Sequence, residues 1–155
     1  MGYLKVIVIR GSVMLGIVPK GQIALLLSFS DTTPIPGKKI VLATSKPLDT
    51  AKKILELFGL TEYFDFIGGA VSHQNDQKWQ VLNWSLSSVG IDLSDPDSLA
   101  KCILVGDRKY DAEGAKICGV DSMGVRYGHG TSEELESSGF TVLADTVADI
   151  SMQLI

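Results

Sequence analysis

The sequence predicts an α/β fold: a three-layer α/β/α sandwich around a mainly parallel, Rossmann-like sheet. Three observations carry that expectation. Short apolar, β-rich runs recur along the 155 residues, amphipathic helical patterns separate most of them, and glycines close the helices. Strands that are apolar throughout mark a sheet covered on both faces. In such sheets ligands gather at the carboxyl ends of the strands.

Strands are expected at 4–9, 39–43, 64–67, 102–105 and 122–125. Between the second and third, Leu48, Ala51, Leu55 and Phe58 share one helix face and Gly59 supplies the stop. Trp79, Leu82, Leu86 and Val89 repeat that spacing before Gly90, and a shorter helix over 111–118 ends at Gly119. Thr131 and Glu134 have capping-box spacing, with Gly139 closing the short helix. Thr146 is placed to cap a last helix carrying Val147, Ile150 and Leu154. The segment 11–36 mixes Gly, Pro, a leucine run and Ser30-Asp31-Thr32-Thr33, and no element is assigned to it.

Composition fits one globular domain over 1–155, with 45% hydrophobic and 21% charged residues. The net charge of −4 offers no basic field for nucleic acid, which is not an expected partner. Cys102 in a strand and Cys118 in a helix read as buried thiols, not a disulfide, and point to a cytoplasmic location. The apolar stretch 23–29 is too short to span a bilayer, so no membrane partner is expected. Lys5 and Arg10 precede that apolar region, as in a secretory leader, but no small-residue cleavage site follows cleanly.

The chemistry sits at the strand ends. Thr44-Ser45-Lys46-Pro47 offers two hydroxyls and backbone N–H groups at a helix start, a natural phosphate seat. Lys78 would bring a point positive charge to the same edge. Asp107 and Asp111, four residues apart around a helix start, supply two carboxylates. Hard oxygen ligands beside an anionic substrate imply Mg²⁺ more than zinc.

Hydroxyl, lysine and paired aspartates in that order resemble the haloacid dehalogenase-like phosphohydrolases. The strings PIPG, VLATSKP, FDFIGGA, LVGDRKYDAEGAK, GVRYGHGTSEEL and ADTVADI resemble the phosphoglycolate-phosphatase branch, across residues 34–150. The resemblance implies a Mg²⁺-dependent phosphomonoester hydrolase acting on a small phosphorylated molecule, with the strand at 4–9 central. Thr44 would bind the transferring phosphoryl group with Ser45 beside it. Lys78 would neutralise nucleophile and phosphate, Asp107 would ligate Mg²⁺, and Asp111 would support the metal site.

Two departures accompany the resemblance. The family's Asp-x-Asp-Gly-Thr loop has VIVIRGSV as its only counterpart, so Val8 stands for the nucleophile and Arg10 for the general acid/base. Valine has no nucleophilic atom, and arginine stays protonated. Only 36 residues separate Val8 from Thr44, so no cap domain fits there, and the chain reads as a core domain alone. An alternative function follows: a non-catalytic relative that binds a phosphorylated ligand, a metal or a protein partner. Apolar surface left by an absent cap would suit a second copy or another protein.

Each residue also has a plain structural reading. Asp107 and Asp111 would cap a helix, Thr44 and Ser45 would mark a helix start, and Lys78 would be solvated. His73 and His129 have no metal-like spacing and read as loop residues. Trp79 and Trp84 read as packing, and Arg108-Lys109 either attracts an anionic substrate or is a solvated loop end.

Overall fold

The structure, a computed structural model, describes residues 6–10, 28–30, 33–34, 38–71 and 77–154. Six strands form a parallel sheet: β1 (Val6–Arg10), β4 (Lys39–Pro47), β5 (Phe66–Ala70), β6 (Cys102–Gly106), β7 (Asp121–Val125) and β8 (Val142–Ala144). Their order is β5-β4-β1-β6-β7-β8, which puts β1 inside the sheet as expected. A separate antiparallel pair, β2 (Ser28–Ser30) and β3 (Thr33–Pro34), lies in the stretch to which no element was assigned.

The alternation of side chains splits the core into two layers. Ile40, Leu42, Ile103 and Val105 face one side, where they pack with Leu55 of α1 (Leu48–Leu57) and Ile150 of α6 (Val147–Leu154). Val41, Ala43, Cys102 and Leu104 face the other, against Leu82 and Leu86 of α2 (Lys78–Ser88) and Ala115 of α4 (Lys109–Cys118). A strand apolar at every position therefore feeds both layers, the physical content of the sandwich. Both cysteines are free and buried, and burial pushes each thiol up to about 11. No helix of the described residues is long and apolar enough to cross a membrane.

Four expectations need correction. Phe58 is not on the buried face of α1 but caps its end and is 38% exposed; Gly59 turns the chain with φ +66°, and Leu60 fills the core position instead. The Leu60 N–H donates to the Leu55 carbonyl at 2.8 Å, closing the helix as a Schellman-type end does. Trp79 is 38% exposed, because the buried face of α2 begins with Val81 and Leu82. The strand expected over 64–67 starts at Phe66: the Phe64 N–H donates back to the Thr61 carbonyl of the preceding 3₁₀ turn at 3.2 Å, and the chain bends at Asp65 before the strand begins. The expected 111–118 helix begins two residues earlier, at Lys109. Three further elements had no sequence signal strong enough to assign: α3 (Pro96–Leu99), β8 and the β2–β3 pair.

Close backbone approach at Gly69 sets the seam between β5 and the start of α1. A Cβ there would lie 2.7 Å from Leu48 Cα and 3.0 Å from Leu48 N, atoms of backbone that cannot rotate aside. Gly69→Ala should therefore cost about 1–3 kcal/mol of stability by overpacking, read as a lower urea midpoint with an unchanged slope. An unchanged midpoint would contradict the close approach.

Candidate functional site

All six strands of the main sheet run the same way, so their carboxyl ends share one edge. The register sets levels along it. Ile9 is level with Leu42 on one side and Val105 on the other, so Thr44 and Asp107 each stand two residues beyond that line. They stand just past the paired residues, on the strands either side of β1. Val8 lies level with Val41 and Leu104, three residues below Thr44, and Arg10 is level with Ala43. The register reaches the level of Thr44 one residue past Arg10, outside the described residues.

Thr44 is 5% exposed, and its Oγ1 accepts the Lys46 N–H at 3.2 Å, a hydroxyl turn that shapes the loop. Ser45 beside it is exposed. Helix α1 then opens with Pro47 at its N-cap and no side-chain cap. Lys78 is the first residue of α2, and its Nζ stands 4.8 Å from the ring centroid of Tyr110 on α4. The ammonium is thus held on the side of the edge where α4 begins.

Asp107 follows β6 and is fully buried. A buried carboxylate needs donors, and the loop after β7 provides them. The His129 N–H donates to Asp107 Oδ2 at 2.9 Å, and the His129 ring Nδ1 lies 3.0 Å from the same oxygen. The Gly130 N–H donates to the Asp107 carbonyl at 2.9 Å. This approach requires glycine on both sides of His129: a Cβ at Gly128 would come within 2.2 Å of Asp107 Cβ, and one at Gly130 within 2.3 Å of its carbonyl oxygen. Tyr127 precedes them with its hydroxyl buried and unpartnered among the described residues. Burial first, and then the negative Asp107, push that hydroxyl up to about 12.

Asp111 has a different task. Its Oδ2 accepts the N–H groups of Asp107 and Arg108, each at 3.1 Å, from the third position of α4. The carboxylate thereby folds the loop over the helix start and fixes where Asp107 sits. The capping reading of this pair is therefore real for Asp111, while Asp107 precedes the helix and faces the β7 loop. Among the described residues no three His, Cys, Asp or Glu side chains cluster as a metal cage. One carboxylate with a second behind it suits Mg²⁺, which keeps several waters and shares its ligands with substrate phosphate. It does not suit a structural zinc site.

Two residues of this assembly escaped sequence reasoning. His129 lies in a loop, as its lack of metal-like spacing predicts, but the Gly-His-Gly string after a strand carries the signal of its close approach to Asp107. Glu134 was read as half of a capping box with Thr131. Only one half forms: Thr131 Oγ1 accepts the Glu134 N–H at 3.1 Å. The Glu134 carboxylate is engaged elsewhere, with Oε1 accepting Arg108 Nε at 2.8 Å and the Lys109 N–H at 2.9 Å. It pins the first turn of α4 to α5 (Ser132–Ser137).

The Lys109 N–H, and after it the Arg108 guanidinium, hold the Glu134 carboxyl below its usual range. A depressed folded-state value means this tie is present above the ordinary glutamate range and is lost as pH falls through the folded-state value. Glu134→Gln should speed amide hydrogen exchange at Lys109 near neutral pH and flatten its pH dependence below about pH 5, near the ordinary glutamate range. Equal exchange in both proteins would show that Glu134 does not hold the loop.

The family model for haloacid dehalogenase-like hydrolases matches residues 36–125. Phosphoglycolate phosphatase of Vibrio parahaemolyticus is 30% identical over 115 residues, 74% of this chain and 48% of that protein. Tyrosine-protein kinase PtkA of Mycobacterium tuberculosis is 32% identical over 108 residues, 69% of this chain and 35% of that protein. The crystal structure of a predicted phosphatase from Clostridium acetobutylicum superposes with a TM-score of 0.68 at 35% identity, covering 76% of this chain and 52% of that one. The chain thus spans about a third to a half of the length of these relatives. Matched across more than half its length, and carrying the strand-end residues on the parallel sheet described above, it belongs to the haloacid dehalogenase-like hydrolase family, with phosphoglycolate phosphatases among its relatives.

Proposed function

We propose that the carboxyl edge of the sheet is a Mg²⁺-dependent phosphomonoester site of the phosphoglycolate-phosphatase type. The observation that carries this reading is the matched level of Thr44 and Asp107 on either side of β1. The Thr44 hydroxyl, Ser45 and the opening N–H groups of α1 bind phosphoryl oxygens on one side. Asp107 holds Mg²⁺ on the other with Asp111 bracing its loop, and Lys78 neutralises charge between them. When bound, the metal supplies charge neutralisation to the phosphoryl oxygens. The ligand is a small phosphorylated molecule, as the name of the Vibrio relative suggests.

A second reading rests on one feature of the sequence. Strand β1, Val-Ile-Val-Ile-Arg, contains no carboxylate at any register. Covalent transfer to an aspartate of that strand is closed to it, and Asp31 is the sole acidic residue before Asp49. On this reading the site binds a phosphorylated ligand and metal without turning it over.

Phosphate release from small phosphomonoesters with and without Mg²⁺, for the wild type and Asp107→Asn, separates the two. Hydrolysis predicts metal-dependent release that falls at least about 10²-fold in the variant, the scale of losing one preorganised electrostatic contributor. Binding without turnover predicts no release from either protein, with calorimetric heats for Mg²⁺ and inorganic phosphate that Asp107→Asn removes. Neither release nor binding would overturn the site itself.

A further inference from the structure

Tyr110 occupies the second position of α4 and is 43% exposed. An aromatic ring left half in water at a helix start needs another explanation than core packing. Three cations from two different helix starts converge on it. Lys78 Nζ stands 4.8 Å from the ring centroid, Lys109 Nζ 5.2 Å and Arg108 Cζ 5.6 Å. All three lie within the roughly 6 Å at which a ring face attracts a cation.

The three are not equivalent. Arg108 and Lys109 directly precede Tyr110 in the chain, so their nearness to its ring is local. Lys78 alone comes from α2, nearly three dozen residues earlier in the chain, so its meeting with Tyr110 is tertiary. A lysine carries its charge on a flexible four-carbon stem, and the rotamer freedom of that stem opposes holding the ammonium in one place. The Tyr110 ring stands within reach to oppose that freedom. Because Tyr110 stands three residues after Asp107, the loop that sets the carboxylate also sets the ring.

We propose that Tyr110 is a positioning residue for Lys78, orienting its ammonium by a cation–π contact at the phosphate-binding edge. The proposal rests on the phosphomonoester reading of that edge. It assigns Tyr110 no contact with substrate: the ring acts through Lys78, and its hydroxyl is dispensable. Phenylalanine should therefore substitute for it and leucine should not.

The test uses reductive ¹³C-methylation of lysines, with the Lys78 resonance assigned by its loss in Lys78→Arg, alongside calorimetric titration with inorganic phosphate in Mg²⁺. The wild type and Tyr110→Phe should show a Lys78 methyl signal displaced upfield by the ring current. Tyr110→Leu should lose that displacement and bind phosphate about two- to fivefold more weakly, the scale of one exposed cation–π contact. Thermal melts check that each variant is folded; at a half-exposed position leucine should be accepted. An undisplaced Lys78 signal in the wild type overturns the contact. Loss of the displacement with unchanged phosphate affinity overturns the positioning role. A wild type that shows the ring-current shift but binds no phosphate overturns the phosphomonoester reading and the role built on it, and leaves only the contact.

Discussion

A buried carboxylate at the end of β6 is the constraint around which this edge of the molecule is organised. Asp107 has no exposed surface, and a charge in that position is tolerable only with donors aimed at it. The donors come from a different crossover, the loop after β7, so two loops far apart in sequence must meet closely. Glycines at 128 and 130 allow the approach, with His129 between them facing the carboxylate. The chain's own carbonyl at 107 is tied to the same loop, which makes the contact a clasp of backbone and side chain together.

The second carboxylate is subordinate to the first. Asp111 reaches back to the N–H groups of residues 107 and 108, and Glu134 takes the next N–H in line together with the Arg108 guanidinium. Successive orphan donors at the start of α4 are thus satisfied by carboxylates from two helices. The Glu134 carboxylate takes the tertiary partners, the Lys109 N–H and the Arg108 guanidinium, the latter adding a charge-assisted bond that a backbone cap does not offer. The first turn of α4 is in this way joined to α5, and the position of Asp107 is inherited from both.

Strand order does the rest. With β1 between β4 and β6, the hydroxyl loop after β4 and the carboxylate loop after β6 are separated by one strand. The strand between them, Val-Ile-Val-Ile-Arg, holds four apolar residues and an arginine and no carboxylate.

Much of this was legible in the residues. The apolar strands, the helix faces around Leu55 and Leu86, and the glycine stops are local patterns, and local patterns follow from the chain's own periodicity. Thr44, Lys78, Asp107 and Asp111 stood out because their residue types suit phosphate and a hard cation at strand ends. Phe58 and Trp79 misled because spacing reports which face a side chain shares, not whether the helix end still lies over the sheet; Leu60 takes the core place only once the chain has turned at Gly59. His129, Glu134 and Tyr110 acquired their contacts from other elements, across 22, 26 and 32 residues of chain to Asp107, Arg108 and Lys78. By itself the sequence determined the parallel sandwich and which residue types stand at its edge, because both follow from short-range pattern. Only the tertiary structure decided which carboxylate is buried, which is a brace and what faces Lys78, because those depend on loops that meet when the sheet closes.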